Sequence, residues 1–346
     1  MKNSLIAVAA ALACTGAAYA QSNVQLTGLA DMYAGSMKMA GQDRKSVVGS
    51  GGMTTSWWGI KGTEDLGGGL KVDFNITAFM RMDTGETGRF PGDTFFSRDA
   101  NIGLNGGFGR IGLGRDKAPN FLPTILTNPF GDSFTISPLV LHANTPTSAW
   151  GGARLTTPAD TGWSNMLVYT TPNFGGLTAN VYYQFGEQTT PGDKSKKNVG
   201  VNALYFNGPL SLTAFYERDQ ITNPGSGTVM PTKTDWMVGG SYNFNVVKLY
   251  ATYGQAKVKN TDSKSKTYSL GLDVPVTGTP GTVKAAVART KAEWTGADAT
   301  RTTATLGYDH FLSKRTDVYT ALMYDRVTDA TPKSGTGLIA GIRHRF

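Results

Sequence analysis

The sequence predicts an all-β chain, an antiparallel transmembrane barrel of sixteen strands with short turns at one end and longer loops at the other. Three observations carry this. Segment after segment alternates apolar and polar residues with a period of two, which gives a strand two different faces. The mean hydropathy is negative, and 44 of the 346 residues are glycine, well above the usual share of about 7%. Connections alternate between tight Gly- and Asn-rich turns and longer polar stretches, the rhythm of an up-and-down membrane barrel. In lipid an open sheet edge leaves unpaired backbone groups at several kcal/mol each, so such a sheet must close.

The chain opens with Lys2, an apolar run from Leu5 to Ala13, and Ala18-Tyr19-Ala20. A positive start, a short apolar stretch and an A-x-A end form a secretory signal, with cleavage expected between Ala20 and Gln21. The run is shorter than the ~20 apolar residues of a membrane-spanning helix. Cys14 suggests a lipid-acceptor site, but Ala11 stands where such a motif places Leu. Residues 21–346 are then the barrel. They hold no cysteine and only three scattered histidines (His142, His310 and His344). Disulfide scaffolds, thiolate or histidine metal centres and bound cofactors are therefore not expected. An isoelectric point of 9.4 would raise nucleic-acid binding, but an exported chain points instead to a basic pore or a surface facing lipopolysaccharide.

Along the barrel, period two places strands at 24–38, 54–64, 70–83, 94–105, 110–116 and 165–171, then at 177–187, 197–206, 210–221, 234–244 and 247–259. The last five fall at 266–276, 282–294, 300–312, 316–328 and 336–346. The pattern is clearest where Leu70, Val72, Phe74, Ile76, Ala78 and Met80 oppose Lys71, Asp73, Asn75, Thr77, Phe79 and Arg81. Tight turns fall at Leu66-Gly67-Gly68-Gly69, Pro172-Asn173-Phe174-Gly175-Gly176 and Ser313-Lys314-Arg315, among others. The rhythm breaks once. Residues 117–164 show no strand pattern but hold six prolines and an apolar set including Phe121, Leu122, Phe130, Ile136, Leu139 and Trp150. A stretch this long and this apolar is neither a plain connection nor disordered. It is expected to fold inward against the wall and narrow the lumen, or else to cap the mouth.

Several stretches resemble the general outer-membrane porins of beta-proteobacteria. Val24-Gln25-Leu26-Thr27-Gly28-Leu29-Ala30-Asp31 is similar to their first strand, V-T-L-Y-G-x-x-D. Gly59-Ile60-Lys61-Gly62-Thr63-Glu64-Asp65-Leu66-Gly67-Gly68-Gly69-Leu70-Lys71 is similar to their G-F-K-G-x-E-D-L-G-G-G-L-K. Asn101 to Arg115, Tyr169 to Leu177 and the C-terminal Gly341-Ile342-Arg343-His344-Arg345-Phe346 extend the likeness over the whole barrel. The resemblance implies an inward third loop, a homotrimer embedded in outer-membrane lipid and lipopolysaccharide, and passive passage of small hydrophilic solutes and anions. It also implies a C-terminal Phe346 read by the barrel-assembly machinery, and that terminal aromatic suits a membrane interface.

It further implies a cluster of wall arginines facing the third loop across a constriction. Arg98 matches one of these; Lys61 and Arg81 lie on strands that can turn them inward, Arg115 ends the strand feeding the loop, and Arg154 lies within the loop. The loop is nearly neutral, with Lys117 and Arg154 against Asp132 and Asp160. Where the family often has Ser-Arg, this chain has Ser56-Trp57, and near the sixth strand it has Trp163 where anion-selective members carry Arg. Weak anion preference follows, with Lys61, Arg81, Arg98, Arg115, Arg154, Asp132 and Trp57 as expected channel-lining residues. Trp57 and Trp163 keep open a more specific channel for aromatic or organic acids. Simple alternation turns Arg98 toward lipid beside Ala100, Ile102 and Leu104, a conflict that a trimer contact or a bulge would relieve. An enzyme is not expected: G-x-S-x-G is absent and no nucleophile–base pair stands out.

Overall fold

The computed structural model describes residues 23–143, 162–187, 197–220, 232–259 and 262–346. The expected cleavage site, Arg154 and Asp160 lie outside them. The strands are β1 (Asn23–Met37), β2 (Lys45–Ser50), β3 (Trp57–Gly67), β4 (Leu70–Arg81), β5 (Glu86–Thr87) and β6 (Asp99–Gly106). Then come β7 (Gly109–Lys117), β8 (Gly162–Thr170), β9 (Leu177–Gln184), β10 (Asn198–Asn207), β11 (Leu210–Asp219) and β12 (Lys233–Asn243). The last six are β13 (Lys248–Val258), β14 (Lys264–Pro275), β15 (Gly281–Trp294), β16 (Ala297–Phe311), β17 (Thr316–Val327) and β18 (Ser334–Arg345).

Apart from β2 and β5, neighbouring strands pair antiparallel, β1 with β3, β4 with β6 and so on round the wall, and β1 pairs β18, so the sheet closes. β2 and β3 share one place in the wall, pairing the upper and lower halves of β1, and β5 is a stub beside the end of β4; the barrel thus has sixteen strands. Residues 45–50 were not expected as a strand. Strand 94–105 was expected to start five residues earlier than Asp99, where β6 begins. Pleating puts Ile102, Leu104, Ile111 and Leu113 on the lipid side and buries Asp99 and Asn101 inside. At the short-turn end, Gly67, Gly68 and Gly69 all take positive φ, a run that side chains would strain.

Between β2 and β3 the chain leaves the wall. The buried Asp31 carboxylate holds it there, accepting the N–H groups of Gly52 (3.1 Å), Met53 (2.9 Å) and Thr54 (2.7 Å) and the hydroxyl of Tyr319 (2.5 Å). The third loop folds inward from Lys117 and meets this segment. Ser133 Oγ donates to the Gly52 carbonyl (2.7 Å) and Thr135 Oγ1 to that of Gly51 (2.9 Å).

The loop carries two short helices, α1 (Phe121–Leu126) and α2 (Pro138–Ala143). Phe130, Ile136 and Leu141 pack with Met37, Met323 and Ile339, and Leu139 packs with Phe215 and Met237. Phe130, Ile136, Leu139 and Leu141 thus cover the inner wall from β10 round to β18, while the expected Trp150 lies outside the described residues. Glycine on the wall makes the approach possible: a Cβ on Gly271 would come within 2.6 Å of Pro129, and one on Gly200 would strike Pro119. Polar anchors fasten the ends. Asn120 donates to Glu217 (2.8 Å), Thr305 to the Ile136 carbonyl (2.7 Å), and Arg301 to the Leu141 carbonyl (3.0 Å) while pairing Asp325 at 2.9 Å.

Candidate functional site

Among the described residues the loop covers one arc of the wall, and the opposite arc borders an open space. A cavity of about 440 Å³ lies between Leu122 of α1 and the inner faces of β1, β3, β4 and β6 to β9. Pleating decides which side chains enter it. On β3 the lipid side holds Trp58 and Ile60, so Trp57 and Lys61 turn inward. On β7 the lipid side holds Ile111 and Leu113, so Arg110 turns inward. Asp116 shares that face, and a bulge opposite Gly114–Asp116 shifts the register of β7 against β8 where Lys117 joins it at the same cavity.

The lining carries four cations, Lys61, Arg98, Arg110 and Lys117, against two carboxylates, Asp99 and Asp116. Asp99 is held from both sides, by Arg98 at 2.5 Å and Lys117 at 2.6 Å. Arg110 pairs Asp73 at 2.7 Å and donates to Asn101 at 2.9 Å. Lys61 has no hydrogen bond or ion pair among the described residues, so its charge is not locally neutralised. Such a wall repels small cations and attracts small anions through a confined, poorly screened space.

The expected lining residues divide. Lys61, Arg98 and Trp57 meet in the cavity, where the Arg98 guanidinium lies 3.9 Å above the Trp57 ring. Arg98 escapes the parity conflict because it precedes β6 instead of lying on it; its side chain reaches Thr77 and Asp99 on the lumen face. Arg81 ties down the turn after β4, with Glu86 at 2.7 Å and the Thr87 carbonyl at 3.4 Å. Arg115 is buried in the wall at the bulge, donating to the Ser97 carbonyl (2.7 Å) and Ser164 (3.0 Å). Asp132 faces Thr54, and burial raises its pKa against the pull of Arg98 and Arg343.

The two tryptophans differ in what they present to the lumen. Trp163 is buried against Ala118, Met166, Val168 and Tyr182 beneath the root of the loop, and Trp57 is covered by Arg98. The alternation of β7 predicts Arg110 and Asp116, yet the expected set omitted both; Lys117 depends on a bulge that no local pattern marks. His310 and His344 lie on the outer face, bonded to Tyr308 and Thr316.

Comparison with known proteins agrees with this architecture. A family model described as Gram-negative porin matches residues 7–330. The chain is 34% identical to outer membrane porin protein 32 of Delftia acidovorans, and the alignment covers all of both chains. It is 27% identical, again over both full lengths, to an outer membrane porin protein of Bordetella pertussis. The solved anion-selective porin from Comamonas acidovorans superimposes with a TM-score of 0.78 at 31% identity, covering 94% of this chain and 100% of that one.

Proposed function

The chain belongs to the Gram-negative porin family and is an integral outer-membrane channel protein, and from that premise we propose a water-filled, weakly anion-selective pore for small hydrophilic solutes. The constriction lies between the third loop, described here up to Ala143, and the wall carrying Lys61, Arg98, Arg110 and Lys117. The observation that carries the reading is the excess of cations over carboxylates in that cavity, with Lys61 unpaired among the described residues. Asp132 on the loop offsets part of that excess, and Arg154 is the further loop cation expected to act on it. Arg81 and Arg115 act on selectivity only indirectly, by fixing the backbone that presents the others.

The mature protein begins after Ala20 and assembles as a homotrimer in lipid and lipopolysaccharide. Phe346 is the mark read by the assembly machinery. Its position suits that role: the Phe346 and Gly28 backbones exchange two hydrogen bonds of 3.0 Å, so the last residue closes the seam between β18 and β1.

Single-channel recording of the mature protein across a salt gradient tests the reading. Openings in steps of three, with a reversal potential favouring chloride, are expected. Cation preference would overturn the charge assignment, and no current from folded protein would overturn the pore.

A further inference from the structure

The root of the third loop is fastened to the wall by a side-chain pair whose hydrogen bonding is incomplete. Asn120, the residue before α1, donates through Nδ2 to Glu217 Oε1 of β11 at 2.8 Å. Both residues are buried, at 2% and 0% exposure. The other arm of each planar group, Asn120 Oδ1 and Glu217 Oε2, is closed to water and has no hydrogen-bond partner among the described residues. Two buried acceptors left orphaned are each as costly as a lost hydrogen bond. A proton on Glu217 would supply the donor that both lack.

The surrounding charges favour that proton. Lys233 Nζ of β12 lies 3.0 Å from Asp235, 3.6 Å from Glu217 and 3.7 Å from Asp219. Glu217, Asp219 and Lys233 are all buried. Three carboxylates thus face one ammonium, and burying such an excess of negative charge is expensive. The other elements packed here do little to offset it. β10 places Gly200 opposite Glu217, β9 contributes Tyr182, and β13 turns Gly254 and Ala256 inward. Helix α1 has no ionisable residue, and the loop root adds Asp116 and Lys117, which pair with each other at 3.4 Å. Asp235 is the carboxylate nearest Lys233, and Asp219 stands across from Lys233 in the register. Glu217 is the carboxyl with an uncharged acceptor beside it. The group lies at the long-loop end, beyond the outer-face aromatics Tyr216 and Trp236 that mark the edge of the apolar layer.

We infer that Glu217 carries a proton at neutral pH and closes an acid–amide latch with Asn120, which holds the root of the third loop; its effect on current rests on reading that loop as one wall of the constriction. In the latch Glu217 Oε2–H donates to Asn120 Oδ1 while Oε1 accepts from Nδ2, a ring with a hydrogen bond on each side. Glu217 is a positioning residue, buried away from the passage. It acts through Asn120, which stands between Lys117 and Leu122, and both of these line the cavity. Raising the pH sends the proton to the water of the lumen, sets a carboxylate oxygen against the amide oxygen and loosens the root. The latch is closed on the acid side of this change and open on the alkaline side.

Glu217→Gln is the decisive variant, because a carboxamide accepts and donates as the neutral acid does and cannot ionise. The test pairs infrared difference spectra of the reconstituted protein, stepped between about pH 6 and 10, with single-channel records over the same range. Wild type should show the carbonyl stretch of a neutral carboxylic acid at pH 7, lose it on the alkaline side, and there spend about tenfold more time in brief closures, the worth of one lost hydrogen bond. Glu217→Gln should lack that band and stay quiet at every pH. Asn120→Ala should keep the fold and be noisy throughout. A neutral-acid band that survives in Glu217→Gln would place the proton on another carboxyl and overturn the inference. So would closures that rise with pH equally in wild type and Glu217→Gln, or wild-type current that stays quiet across the range. The band present in wild type and absent from Glu217→Gln, with no current from either, would sink the channel reading and leave the latch standing.

Discussion

At the scale of single residues, Lys61 has the most leverage on the cavity, because its charge is not spent on a neighbour. Lys61→Glu changes the lining by two unit charges and should move the reversal potential under a salt gradient toward cation preference, with folding unaffected. Arg98→Ala removes a cation but also releases Asp99 and uncovers Trp57, so its effect on selectivity should be smaller than its charge suggests. Arg301 and Asp325 are both fully buried. Asp325→Ala leaves the guanidinium unpaired, and a cost of about 3–5 kcal/mol is expected, read as a lower unfolding temperature of the reconstituted barrel. His142 sits between Thr290 and Thr303, 2.8 Å from each. Burial first, and Arg301 second, hold its pKa well below 6.5. The folded state thus binds the proton less readily than the unfolded chain. The seat of α2 is at full strength above about pH 6.5 and weakens as the pH falls below it. Thermal unfolding of wild type should be more acid-sensitive between about pH 7 and 5 than that of His142→Gln.

At the scale of elements, the loop depends on the wall as much as on itself. Helices of six residues have too few hydrogen bonds to offset nucleation, and α1 and α2 persist because the wall covers them. Gly271→Val should push Pro129 off the wall and into the lumen, cost about 1–3 kcal/mol by overpacking and lower single-channel conductance. The same dependence explains what could be read in advance. Strands such as β4, β9 and β13 were legible because each residue's face follows from the pleat alone. Period two even contained Arg110, whose neighbours Ile111 and Leu113 face lipid. The helices were not legible: Pro123 and Pro138 mask any period, and their apolar residues match a surface built by distant strands. Nor was β2, whose Lys45-Ser46-Val47-Val48-Gly49-Ser50 needs the upper half of β1 for a partner. Arg98 and Lys117 depended on where β6 begins and where β7 bulges, and both are settled by pairing between strands.

At the scale of the whole molecule, closure was the most legible property, since it follows from the cost of an open edge in lipid. The placement of the loop within the lumen was legible only as apolar surface in need of cover. That placement divides the shell into two kinds of material. From β10 round to β18 the sheet is backed by a packed second layer, while among the described residues β4, β6 and β7 carry no such layer. A laminated plate resists bending far more than a single one, so thermal breathing should concentrate in the unbacked arc. Amide exchange within the strands should be fastest in β4 to β7 and slowest in β14 to β16. If the proposed lining is right, the charged face of the pore is then its compliant face, and the width of the passage should fluctuate beside Lys61 and Arg110.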